Sequence, residues 1–427
     1  MNSDQYARQR DQIRAYFDQE PTRFEWMGSA GSGGYGICSA LKEFLPDGRE
    51  RKLVIKRAIG GESAALLVEI ERLKQIQGGK HIAQTRTISN NPLERAVPLD
   101  SVGAFSDMTL GSGDESSRSE GSGPLSAILS GRSASSGQST IAYPKPFIIM
   151  EFIENGVLSD FIDKAGKARD LDLMLCRSIP NRVLWRFFFC LVRACVGMAW
   201  PNQFNDPDGE PVLEEPRRDE EPGNFTHTDL SIENVMLGNF IRNELEHDTA
   251  PILKVIDFGL DRRFRTQSGA LDMNGVPTNL RDVGQIMINI ILLETYPTSP
   301  DGSSRSYSKI SGDDEYYYDT DASAILPDDE GKNPFPYLDP DLRDKICECM
   351  AVDEEDRPDL VRLFDYVKDK VLSRGAEYWF ERRHQYDTGA VYWRETEIHI
   401  EWLLQSLLFE PIPFPNPYAK DDSFMKA

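Results

Sequence analysis

His227-Thr228-Asp229-Leu230-Ser231-Ile232-Glu233-Asn234 leads directly into the apolar run Val235-Met236-Leu237, and a second apolar run, Leu253-Lys254-Val255-Ile256, ends on Asp257-Phe258-Gly259. Short aliphatic runs bounded by polar residues read as strands. Two in succession make a hairpin with acidic groups at both ends. Side-chain oxygens so placed suit a hard divalent cation such as Mg²⁺ and, through it, a chain of phosphates.

Working outward, Gly31-Ser32-Gly33-Gly34-Tyr35-Gly36 follows the strand-like Phe24-Glu25-Trp26-Met27. Glycines let backbone approach phosphate oxygens with no Cβ in the way, and their N–H groups donate to those oxygens. The chain then returns to a strand from Ile37, not to a helix. That favours a hairpin flap over phosphates and disfavours a dinucleotide-binding turn. Lys56 ends the apolar run Leu53-Val54-Ile55 and must find a partner or reach water. Leu66, Leu67, Ile70, Leu73 and Ile76 recur at helical spacing. That helix offers Glu69 and Glu71 as partners for Lys56, with Glu71 off the apolar stripe.

These segments together resemble the protein kinases. H-x-D-L-x-x-x-N and D-F-G are the spellings of the kinase catalytic loop and metal loop. Arg357-Pro358 looks like the R-P element near the end of such domains, and Asn279-Leu280-Arg281-Asp282-Val283-Gly284 is similar to their D-x-W-S-x-G segment. The likeness spans about residues 24–372 and is closest to the divergent protein-kinase-like families of fungi.

The resemblance implies an α+β, bilobal fold: a small β-rich N-lobe with one main helix and a larger, mostly helical C-lobe. It implies ATP and Mg²⁺ as cofactors. Lys56 would hold the α- and β-phosphates and pair with Glu69; Asp229 would accept or orient the proton of an attacking hydroxyl; Asn234 and Asp257 would hold Mg²⁺. Gly31, Gly33, Gly34, Gly36 and Cys38 would line the nucleotide. Phe147 to Ile153 resembles the kinase hinge, with Met150 beside the adenine pocket and the backbone of Glu151 and Phe152 offering an adenine edge its donor and acceptor. Gly156 would let the linker pass to the second lobe. His227 is expected to support its loop and not to act as acid or base.

Several residues depart from the pattern. Thr228 replaces the arginine that grips a phosphorylated activation loop, so regulation through such a phosphate is not expected. Ser231 replaces the lysine that steadies the γ-phosphate, and Asn279 stands where an aspartate belongs. No Ala-Pro-Glu follows Gly259, the stretch from Asp257 to Asn279 is short for a peptide-docking platform, and Arg357 lacks its usual glutamate. The expected activity is therefore phosphoryl transfer from ATP to a protein serine or threonine hydroxyl, with two alternatives: a small-molecule acceptor, or a catalytically weak nucleotide-binding scaffold.

The reading divides the chain into an extension at 1–22, an N-lobe at 23–152 with a disordered Ser/Gly-rich insertion at 90–145, a C-lobe at 153–372 with inserts at 201–224 and 298–334, and a helical extension at 373–427. Trp379, Trp393 and Trp402 suggest that this last segment packs on the rest. The most apolar windows, Phe187 to Trp200 and Ile286 to Leu293, are too short to span a bilayer. With 70 acidic against 48 basic residues, the net charge of -22 argues against nucleic-acid and anionic-membrane partners. The basic cluster Arg262, Arg263 and Arg265 could still meet an acidic or phosphorylated partner. Six cysteines without a C-x-x-C pair suggest free thiols in a reducing compartment, the cytoplasm or nucleus. The five histidines are widely spread and give no zinc spacing. A protein substrate is the expected partner, and oligomeric state is left open.

Overall fold

The computed structural model describes residues 3–32, 36–58, 63–95, 97–98, 140–141, 146–173, 177–201, 209–259, 274–295, 304–311, 314–382 and 391–412. The chain opens with α1 (Ser3–Phe17), then lays down β1 (Phe24–Ser32), β2 (Gly36–Phe44) and β3 (Glu50–Ala58) before α2 (Ser63–Ile76). A short pair, β4 (Val97–Pro98) and β5 (Thr140–Ile141), precedes β6 (Phe147–Glu151), which pairs with β3. The resulting antiparallel sheet has the order β1-β2-β3-β6.

Alternation along the strands sorts this sheet's two faces. Leu41, Leu53, Ile55 and Ile149 are buried in one cluster with Ile13, Tyr16 and Phe17 of α1, and Phe17 meets Phe24 edge-on at 5.0 Å. The N-terminal extension is thus part of the sheet's own core, where each buried aliphatic or aromatic side chain contributes about 1.5–3 kcal/mol. Lys56, one residue out of phase with Ile55, projects from the other face toward α2. On α2 the inward stripe is Leu66, Glu69, Leu73 and Ile76. Leu67, expected on that stripe, is 52% exposed. A carboxylate has taken a core position in its place.

The remainder is mostly helical. It comprises α3 (Leu158–Asp170), α4 (Asn181–Ala199), the antiparallel hairpin β7 (Val235–Leu237) and β8 (Leu253–Val255), and α5 (Gly275–Leu292). Every residue of α4 is buried, as a helix apolar almost all round should be. It packs against α5, β8 and α7 (Leu360–Ser373), with α6 (Pro340–Cys349) against α5. Arg193, one of three buried arginines in α4, is held by Glu246 at 2.6 and 2.7 Å and lies over the rings of Phe189 and Phe364.

The expected inserts divide. Residues 209–224 run without helix or strand. The 298–334 segment is structured where described: β9 (Arg305–Ser311) pairs with β10 (Asp314–Thr320), and Tyr318, Ile325 and Leu326 enter the core. Its Asp/Ser-rich composition hid apolar anchors spaced too sparsely to show a period. Residues 90–95, assigned to the disordered insertion, form a turn with Pro92 and Leu93 buried and Asn91 accepting from the Leu93 N–H; most of 96–145 lies outside the described residues. The C-terminal segment packs as expected, through α8 (Ala376–Glu381), α9 (Val391–Arg394) and α10 (Glu397–Phe409), with Trp379, Ile400, Leu403 and Leu404 buried. Cys38, Cys190, Cys195, Cys347 and Cys349 are free thiols. Cys176 and the arginines at 262, 263 and 265 lie outside the described residues. No described helix is long and apolar enough to cross a membrane.

Candidate active site

Lys56 is the centre of the site. Its Nζ lies 2.8 Å from Glu69 Oε1 and 2.8 Å from Asp257 Oδ1, joining β3, α2 and the end of the β7–β8 hairpin. The Lys56 and Glu69 side chains are 8% and 4% exposed, Asp257 33%. Burial pushes the Lys56 ammonium down, but the two carboxylates more than offset this and hold its pKa above the ordinary value. Burial likewise pushes the Asp257 carboxyl up, and Lys56 reverses it, leaving Asp257 below its usual range. Lys56 and Asp257 are therefore charged at neutral pH. Glu71, the alternative partner, is on the surface with Lys74.

The hairpin brings the remaining polar groups to the same place. Asn234 Nδ2 donates to Asp229 Oδ2 at 3.0 Å and to the Asp229 carbonyl at 2.8 Å. Both partners are acceptors, so the amide nitrogen must face them, and Asn234 Oδ1 is left to accept a proton or ligate a cation. The Ile256 N–H donates to the Asn234 carbonyl at 2.9 Å, which fixes Asp257 relative to this pair. Thr228 and Asp257 adopt left-handed backbone conformations, φ 63° and 58°. For a β-branched residue such as Thr228 this is strained by roughly 1–3 kcal/mol, and surrounding bonds enforce it.

Some of those bonds come from Arg72, which the sequence reading did not single out. Arg72, one helical turn after Glu69, donates to the Phe258 carbonyl at 2.8 Å and to the Thr226 carbonyl, with its guanidinium over the Phe225 ring. Its spacing from Glu69 was the available signal. Asn279, in place of an aspartate, accepts from the His227 N–H at 3.0 Å and donates to the Phe225 carbonyl at 2.8 Å. An amide can do both, so Asn279 ties α5 to the segment that leads into Asp229. Arg357 donates to the carbonyls of Ala351, Pro277 and Val352 at 2.9, 3.0 and 3.2 Å. Three backbone oxygens thus hold the Arg357 guanidinium.

His227 is fully buried, donates Nε2–H to the Ile256 carbonyl at 2.9 Å and packs on Phe258 at 4.7 Å. Its Nδ1 has no partner among the described residues. It is structural, as expected. Burial drives its pKa from 6.5 to about 4. Between those values the unfolded chain takes up a proton that the folded chain does not. The associated stability, about 3 kcal/mol, is therefore full above pH 6.5 and lost as pH falls toward 4. Replacing His227 with Asn should flatten the pH dependence of unfolding free energy in that window by up to about 1.4 kcal/mol per pH unit. Urea titrations at several pH values measure it, and equal slopes in the two proteins would refute the assignment.

The glycine-rich turn is described at its edges. Gly31 pairs with Cys38 across β1 and β2, and a Cβ on Gly36 would sit 3.0 Å from the Arg57 carbonyl and 3.2 Å from Lys56 Cγ. Glycine there lets β2 close over the Lys56 side chain. Gly33 and Gly34 lie outside the described residues. Burial raises the Cys38 thiol to about 11, so it stays protonated at neutral pH.

The Met150–Phe152 edge needs a correction. The Glu151 N–H donates to the Gln84 carbonyl at 3.0 Å and the Phe152 N–H to the Lys52 carbonyl at 3.3 Å. The Glu151 carboxylate is held by Lys254 at 2.7 and 2.8 Å. Neither N–H is available to an adenine edge, because β6 spends both on its neighbours. The next peptide, Ile153, is the first whose N–H has no acceptor among the described residues.

No protein-family model matches the chain, and no curated protein matches it in sequence.

Proposed function

We propose that this chain is a phosphotransferase of bilobal, protein-kinase-like architecture, moving the γ-phosphoryl group of ATP to a protein serine or threonine hydroxyl with Mg²⁺. The carrying observation is the Lys56 ammonium shared at 2.8 Å by Glu69 and Asp257. A buried lysine held charged by a helix carboxylate can clamp phosphate oxygens, and a second carboxylate beside it can hold the metal. ATP with Mg²⁺ would supply an activated phosphoryl group and offset its charge. Asp257 and Asn234 Oδ1 would ligate the metal. Asp229, oriented by the Asn234 amide, would take the hydroxyl proton.

Labelled transfer from γ-phosphate tests this directly. In Asp229→Ala, turnover should fall about 10²- to 10⁴-fold while MgATP still raises the melting temperature. Unaltered turnover in that variant removes the role given to Asp229; no turnover in the parent protein removes the enzymatic reading and leaves a nucleotide-binding scaffold. Arg357 bonded to carbonyls, and the short span from Gly259 to Asn274, favour a second reading with a small alcohol or amine as acceptor. Parallel assays on a basic protein and on aminoalcohols separate the two.

A further inference from the structure

Far apart in sequence, His81, Cys190 and His247 meet inside the fold, with one ligand atom of each within 4.8 Å of the others and all three residues buried. His81 follows α2, Cys190 lies in the middle of α4, and His247 ends the turn after β7. The two imidazoles face each other, Nε2 to Nε2 at 3.1 Å. Each is backed by a carboxylate on its other nitrogen: His81 Nδ1 lies 2.7 Å from Glu214 Oε2, and His247 Nδ1 lies 3.1 Å from Glu244 Oε2. A carboxylate accepts, so both Nδ1 atoms carry the proton and the two Nε2 lone pairs point into the same space. Two lone pairs at hydrogen-bond distance repel unless a cation sits between them.

The surroundings are built for such a cation. Glu214 is buried, and among the described residues the only cationic group within ion-pair distance of its carboxylate is His81 itself. A second Glu214 oxygen accepts from the His81 N–H at 2.8 Å. Gly79 and Gly197 make room for this side chain: a Cβ on Gly79 would lie 2.3 Å from Glu214 Oε1, and one on Gly197 would lie 3.0 Å from its Cγ. Carboxylates behind both histidines are the usual outer partners of metal-ligating imidazole.

We propose that His81 Nε2, His247 Nε2 and Cys190 Sγ bind a zinc ion. Tetrahedral zinc with Zn–N bonds of about 2.0–2.1 Å sets its nitrogens about 3.3 Å apart, close to the 3.1 Å observed. Imidazole and thiolate select zinc over magnesium or calcium, which require oxygen ligands. A water molecule completes the tetrahedron. The ion pins the turn after α2 to α4 and to the β7–β8 connection. It also braces the site described above: the Val255 N–H donates to the His81 carbonyl at 2.8 Å and the Ala83 N–H to the Val255 carbonyl at 2.9 Å, two residues before Asp257.

The test uses the full chain and no activity assay. Elemental analysis of protein purified without chelator should find one zinc per chain. After chelator treatment the melting temperature should fall, and zinc should restore it. Cobalt(II) in place of zinc should show an intense tetrahedral visible band and a thiolate charge-transfer band, the latter absent in Cys190→Ala. Glu214→Gln should weaken metal affinity about 10–100-fold. If Cys190→Ala does not fold, the cobalt spectrum of the parent protein decides: no thiolate band overturns the proposal. So does a metal-free protein that takes up neither ion and shows a shared proton between the histidines by NMR, or metal retained unchanged in both variants.

Discussion

Lys56→Ala is expected to remove the rise in melting temperature proposed for MgATP, and to destabilise the chain even without nucleotide. The ammonium neutralises two carboxylates, and Glu69 sits 3% exposed on the inward stripe of α2. Removing one partner of a buried pair leaves the other charge uncompensated, at a cost of about 3–5 kcal/mol. Replacing both partners with apolar residues of similar volume avoids that cost. Lys56→Met with Glu69→Leu should therefore recover most of the stability and none of the nucleotide response. At 100 times its dissociation constant, a ligand adds about 2.7 kcal/mol, ample to resolve by thermal and urea unfolding with and without MgATP. Asp257→Asn supplies the contrast. It tolerates the left-handed backbone and leaves the Lys56–Glu69 pair, so it should cost little stability yet lose the magnesium-dependent part of the response. An undiminished response in the double variant would refute the role assigned to Lys56.

The second large effect is expected far from the cleft. α4 begins after Pro180 without a side-chain cap of its own, although the first N–H groups of any helix need acceptors. Glu395, which is fully buried between α9 and α10, supplies them. Its carboxylate accepts from the N–H groups of Asn181 and Arg182 at 2.8 and 3.0 Å and from Asn181 Nδ2 at 3.1 Å. Burial pushes the Glu395 carboxyl up, and these donors, with the positive end of the α4 dipole, offset only part of that penalty. Glu395→Ala strips a buried helix end of its acceptors and should destabilise the protein by about 3 kcal/mol. Truncation before Val391 should do at least as much, since it also removes Ile400, Leu403 and Leu404 from the core. Urea unfolding measures both. A loss below about 0.5 kcal/mol in Glu395→Ala would mean that water caps the helix instead.

Much of the site was legible because its parts are local. The hairpin between Asn234 and Asp257 follows from two short apolar runs with polar ends. The choice of Glu69 over Glu71 follows from the helical stripe, although the stripe runs through Leu66, Glu69 and Leu73 and leaves Leu67 outside. Phase along β3 places Lys56 opposite Ile55. Glu151 and Phe152 were misread because a strand's pattern shows which residues are apolar, not which N–H groups its neighbours consume. β9 and β10 were missed because two or three buried side chains in a polar stretch carry no period.

The sequence by itself determined the periodic elements, the order of the motif residues, and the acidic character of the chain. Periodicity and punctuation depend on near neighbours, and near neighbours are what a linear text records. The tertiary structure decided which distant groups share a space: Lys56 with Asp257, Arg357 with three carbonyls, Glu395 with the start of α4, and His81 with Cys190 and His247. Such pairings are set by how helices and sheet pack around one core. No local spacing reports them, so histidines that looked scattered along the chain close to hydrogen-bond distance once α4 is buried.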